Sequence, residues 1–101
     1  MNEEQLELFP DPSSKLLREA EGLICGPREG SYGRANDAFT QVSELWTGYM
    51  KNRHPAITFT SQDVCVMMAL LKVARLAVSP DHRDSLVDGI GYLALVGRCN
   101  D

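Results

Sequence analysis

Apolar side chains recur every three or four positions from Ser13 onward, and that period divides the chain into amphipathic helices. The first carries Leu16, Leu17, Ala20, Leu23 and Ile24 behind Ser13 or Ser14 as its cap. Cys25-Gly26-Pro27 ends it, since glycine terminates a helix and proline cannot continue one. A loop with Gly30 and Gly33 leads to a second helix, which starts at Asn36 or Asp37 and presents Phe39, Val42, Leu45, Trp46, Tyr49 and Met50. Pro55 pushes His54 out of the α region and closes it. Thr60 and Asp63 stand at capping-box spacing ahead of the third. Ser79, with Pro80 at the first helical position, opens a fourth that runs through Leu86, Val87, Ile90, Leu93 and Val96 to about Arg98. No stretch alternates with period two. The pattern predicts an all-α fold: a compact bundle of about four helices over residues 13–101, behind a flexible leader, residues 1–12.

Two features depart from plain amphipathicity. The third helix is apolar nearly all round, through Val64, Val66, Met67, Met68, Leu70, Leu71, Val73 and Leu76, which predicts a central, buried element. Lys72 and Arg75 interrupt it, and Arg75 falls on the line of Val64, Met68 and Leu71. On the fourth helix Asp84, Asp88, Gly91 and Leu95 share one stripe. The short connection between the two helices makes them antiparallel neighbours, so Arg75 is expected to reach Asp84, Asp88 or both. A buried charge without a partner costs several kcal/mol, so internal faces force pairing. One reading is an ion-pair network that fixes helix register. The other is a polar site where Lys72 and Arg75 grip an anion, or Asp84 and Asp88 hold Mg²⁺. Gly89 and Gly91 are expected to let helices pack closely, and His82 to be solvated rather than a ligand.

The second departure is the run EEQLELFPDP, where Leu6, Leu8 and Phe9 sit among carboxylates just before two prolines. A disordered leader should be polar throughout, so these side chains call for a partner. Composition narrows what that partner is. The 101 residues suit one domain, and 44% hydrophobic with 24% charged residues suit a soluble one. A net charge of −4 and a pI of 5.1 weigh against nucleic-acid binding by bulk electrostatics. No apolar run nears the roughly 20 residues of a membrane span, and no signal peptide is visible, so a cytoplasmic protein is expected. Cys25, Cys65 and Cys99 lack metal-type spacing and are expected as reduced thiols.

Three resemblances add to this. Tyr32-Gly33, Asn36, Phe39, Leu45-Trp46, Lys72, Arg75, and Asp84-Ser85 with Asp88, Gly91 and Tyr92 resemble an uncharacterised family of small phage and prophage proteins. Asp88 followed by GIGYLAL is weakly similar to the second metal-binding element of MazG-like nucleotide pyrophosphohydrolases. Lys72 and Arg75 stand where that family's first carboxylates belong, and Asp84 lies one residue too far from Asp88. Gln5-Leu6-Glu7-Leu8-Phe9 resembles the pentapeptide by which bacterial replication and repair proteins dock on the sliding clamp, with Gln5, Leu6, Leu8 and Phe9 at its four defining positions. This resemblance implies a phage protein acting in a bacterial host by clamp binding, without catalysis or cofactor. The alternatives are a Mg²⁺-dependent pyrophosphohydrolase using Asp84 and Asp88, or an anti-defence protein that takes a nucleotide with Lys72, Arg75 and Tyr32. Self-association is a further expectation.

Overall fold

The computed structural model describes residues 11–25 and 35–99, and among these every regular element is helical. Helix α1 (Pro12–Cys25) begins two or three residues earlier than a cap at Ser13 or Ser14 would place it, because its cap is Asp11. Asp11 Oδ1 accepts the Ser13 N–H at 2.8 Å and the Ser13 hydroxyl at 2.5 Å, and its carbonyl accepts Lys15 N–H at 3.0 Å. Those Ser13 bonds, the hydroxyl's first, hold the Asp11 carboxyl below its usual range. Pro12 then occupies the first helical position, where its missing N–H removes no helical bond.

Helix α2 (Ala35–Met50) lays Phe39 against Tyr92 with ring centroids 6.2 Å apart. Trp46 meets Phe59 edge-on at 5.9 Å. The chain then turns, with His54 N–H closing on Met50 C=O at 2.8 Å, and Phe59 N–H donates to Thr47 Oγ1 at 2.8 Å. Helix α3 (Ser61–Val78) starts at the expected capping box: Asp63 N–H donates to Thr60 Oγ1, and Thr60 N–H to Asp63 Oδ2. Helix α4 (Arg83–Leu95) follows, and a 3₁₀ turn (Val96–Arg98) finishes it.

Ser79 and Pro80 do not open α4 as the sequence suggested. Ser79 instead ends α3 by donating its N–H to Arg75 C=O at 3.0 Å, and Pro80 lies in the turn. His82 is the cap of α4: its Nδ1 accepts the Ser85 N–H at 3.2 Å.

Helices α3 and α4 form a central antiparallel pair, with α2 against α3 and α1 against α4. Helix α1 runs in the same direction as α4. Glu19 pairs with Arg83 near the start of α4, while Arg98 Nη1, beyond its end, donates to Ile24 C=O at 2.8 Å. The N-terminus of α1 therefore points to the end of the bundle where the α3–α4 turn lies.

The buried core is made of small residues: Ala20, Val64, Cys65, Ala69, Val87 and Cys99, with Ser43, Ser61 and Ser85 among them. Each serine has a hydrogen-bond partner, Thr40 C=O, Asn36 Oδ1 on α2 and His82 respectively. Helix α3 is central but not enclosed. Leu70, Leu71 and Val73 are more than half exposed, and Val78 is 89% exposed, because α3 has helical neighbours on only part of its circumference.

Gly91 is buried against α1, and a Cβ there would sit 3.5 Å from Ile24 Cγ2, an ordinary contact. A Cβ at Gly89 would likewise meet Lys72 Cβ at 3.6 Å, so neither glycine is required by a closer approach. Gly91→Ala is therefore expected to stabilise the chain by up to about 1 kcal/mol through the lost backbone entropy of the unfolded state. Urea denaturation reads this directly, and a lower midpoint would mean that α1 packs more closely on Gly91 than the 3.5 Å contact indicates.

Candidate functional site

The charges singled out on α3 and α4 separate into one pair and two surface groups. Lys72 Nζ lies 3.4 Å from Asp88 Oδ2, the lysine side chain largely covered and the aspartate side chain partly so. Asp88 sits one turn into α4 and Lys72 two turns before the end of α3, so antiparallel packing brings them level. Arg75 does not reach Asp84 or Asp88. It is exposed and makes no side-chain ion pair or hydrogen bond among the described residues, and Asp84 is exposed in the first turn of α4. Helices that cross diverge away from their contact point. The stripe that is buried at Val64 has therefore come out to solvent by Arg75, three turns on.

This pairing bears on both chemical readings. Asp88 already has an ammonium as counter-charge, and Asp84 stands a turn away in solvent. Among the described residues no three His, Cys, Asp or Glu side chains converge as metal ligands would. As it stands the donor set is that of an ion pair. Lys72 with Asp88 thus bridges the central helix pair.

Beside that pair lies an open groove of about 400 Å³, lined by Leu71, Ala74, Arg75, Val78, Ser79 and His82. Its floor is aliphatic and comes from the last two turns of α3. Its polar rim is the Arg75 guanidinium, Ser79 and the imidazole of His82. His82 is not the solvated residue expected from the sequence. It is half-buried, held by Ser85 Oγ at 2.7 Å and by its capping bond. The sequence signal missed here was the spacing of His82 to Ser85, which matches a cap and its third helical residue, though histidine is not among the favoured capping types.

The third constellation is a thiol pair. Cys65 Sγ and Cys99 Sγ are 3.5 Å apart, both buried and both reduced, while Cys25 is exposed with Arg98 Nη2 donating to its sulfur at 3.1 Å. Burial, then the hydrogen bond and charge of Cys99, push the Cys65 thiol up to about 12. Such a thiol is inert at neutral pH. Gln62 Nε2 donates to Cys99 C=O at 3.2 Å, so the pair pins the C-terminal segment to the start of α3.

Gln5, Leu6, Leu8 and Phe9 of the clamp-like pentapeptide, and Tyr32 of the glycine loop, lie outside the described residues. What the structure gives for the leader is its point of attachment, Asp11 at the capped start of α1.

Comparison with known proteins places most of the chain. Residues 15–100 match the family model described as Domain of unknown function (DUF6378). The "Gene 55 protein" of Mycobacterium phage L5 is 37% identical over 83 residues, covering 82% of this chain and 51% of that protein. The "Gene 55 protein" of Mycobacterium phage D29 is 36% identical over 86 residues, covering 85% and 54%. The chain thus spans about half the length of the curated relatives it matches. No solved structure gives a significant match.

Proposed function

The chain belongs to the DUF6378 domain family, with homologues among mycobacteriophage proteins, and on that premise we propose that it binds the sliding clamp of a bacterial DNA polymerase through Gln5 to Phe9. The observation that carries the proposal is the pentapeptide itself, Gln5-Leu6-Glu7-Leu8-Phe9, ahead of a helix that begins at Pro12. The match to DUF6378 begins at residue 15, so the pentapeptide lies ahead of the matched segment. Leu8 and Phe9 supply the apolar anchors for a pocket in the partner, and the Gln5 amide offers a donor and an acceptor together. Two anchors at roughly 1.5–3 kcal/mol each supply about 3–6 kcal/mol before the cost of ordering a short segment, so micromolar-class affinity, about 8 kcal/mol, also draws on the Gln5 amide and main-chain hydrogen bonds. The capped, ion-paired helical body would then be held at replication sites of a bacterial host, or would deny the clamp's peptide groove to host polymerases.

The test is a double substitution. Leu8→Ala with Phe9→Ala is expected to abolish capture of purified clamp while far-ultraviolet circular dichroism keeps the parental helicity. Undiminished binding by the double variant would remove the proposal.

A further inference from the structure

The side of α3 that faces away from the core is apolar along most of the helix. Met67, Leu70, Ala74 and Ala77 follow one another at intervals of three and four residues, and all four are exposed. Val66 and Val73 border them on one side and Leu71 on the other, exposed as well, so the strip is broad. At the helical angle it lies opposite Val64, Cys65 and Ala69, which α3 buries. A helix apolar on every side belongs where every side is covered, yet α2 and α4 take only one half of this one.

The strip amounts to roughly 600 Å² on each chain, the upper limit for the largest patch of a typical monomer. Two such strips face to face bury about 1,200 Å², the lower edge of the range for specific, stable protein pairs. Intervals of three and four residues are those at which one helix seats its side chains between those of another. A second copy of α3 supplies that spacing, and a patch that matches itself closes after two chains.

Asp63 sets the direction of the pair. It continues the same line four residues ahead of Met67 and is exposed in the first turn of α3. Parallel helices would bring the two Asp63 carboxylates together. Antiparallel helices crossing at Leu70 instead set Asp63 level with Ala77 of the second copy, and Met67 level with Val73 and next to the small Ala74. Arg75 of that copy, which has no side-chain ion pair among the described residues, then lies about 3 Å from Asp63 along the helix axis. Direction and charge agree.

We infer that the protein forms a two-fold dimer through an antiparallel pair of α3 helices that cross at Leu70. The pairing stands on the helical body alone and is independent of the clamp reading.

Sedimentation equilibrium of the full chain tests it. The mass is expected to be that of one chain, 11.2 kDa, at low micromolar concentration, and to approach twice that at hundreds of micromolar. Leu70→Glu is expected to weaken pairing at least tenfold. Leu17→Glu, equally exposed but on α1, should leave it unchanged, with circular dichroism confirming parental helicity in both. As a second route, Leu70→Cys in a Cys25→Ala background should link two copies through a short bis-maleimide, because the two-fold axis brings residue 70 against itself. The mass of one chain at every concentration would overturn the inference, and so would masses that grow past two chains. Pairing that Leu70→Glu leaves intact, or a Leu70→Cys chain that never links, would overturn it equally.

Discussion

Val87→Asp is expected to abolish cooperative folding, while the same substitution at Val78 leaves the protein folded with a melting temperature lowered by less than about 8 °C. Val87 is 2% exposed on the α4 face that meets the core, where its neighbours in burial are Val64, Cys65 and Ala69. A carboxylate there is stripped of water without a cation to receive it, at a cost of several kcal/mol. The total stability of a domain this size is about 5–15 kcal/mol, and this core is made of small side chains, so the loss consumes most of it. Val78, 89% exposed at the end of α3, keeps its hydration after substitution. Its only penalty is a negative charge near a helix C-terminus, worth about 0.3–1 kcal/mol. Thermal melts followed by circular dichroism compare the two directly. A cooperative transition in Val87→Asp would show that the core between α3 and α4 is looser than its burial indicates.

The buried thiol pair is expected to give the protein a steep alkaline limit. In the folded chain Cys65 stays protonated up to about 12, whereas in the unfolded chain it ionises near the ordinary value of 9.0. Between those limits the unfolded state binds fewer protons than the native one, so stability falls as pH rises, at up to about 1.4 kcal/mol per pH unit for this group. Below pH 9 the contribution is fully present. Urea midpoints measured from pH 8 to pH 11 should therefore drop for the parent and drop less steeply for Cys65→Ala, where the group is gone. The same burial predicts thiol reactivity: at pH 8 an aromatic disulfide reagent should label Cys25 quickly, and Cys65 and Cys99 only after denaturation. Three fast thiols in the native protein would contradict the packing of Cys99 against α3.

The parts of this fold that were legible in the sequence are those fixed by local chemistry. The Thr60–Asp63 capping box appears as read, because both of its bonds are closed within four residues. The helices were legible from their period. The turn before α4 was not, because Ser79 and Pro80 carry an N-terminal signature that the chain uses to stop α3 instead, leaving His82 to cap. Nor was the burial of α3 legible. A helical wheel places Arg75 beside Val64 and Met68, but a wheel has no crossing angle, and neighbours that cover one end of a helix leave the other exposed. The Lys72–Asp88 pair was within reach of the sequence as one of several pairings, and only the level at which the helices meet selects it. The groove at Leu71 and Val78 is a tertiary feature for which the sequence carried only an unexplained excess of apolar residues.

The claim that the leader is the handle is tested most directly by competition at the clamp. A labelled peptide of residues 1–12 is bound to purified bacterial sliding clamp, and the unlabelled full chain is titrated in while fluorescence anisotropy is followed. The account predicts complete displacement to the value of free peptide. A peptide that never binds, or one that stays bound under saturating full chain, would contradict it.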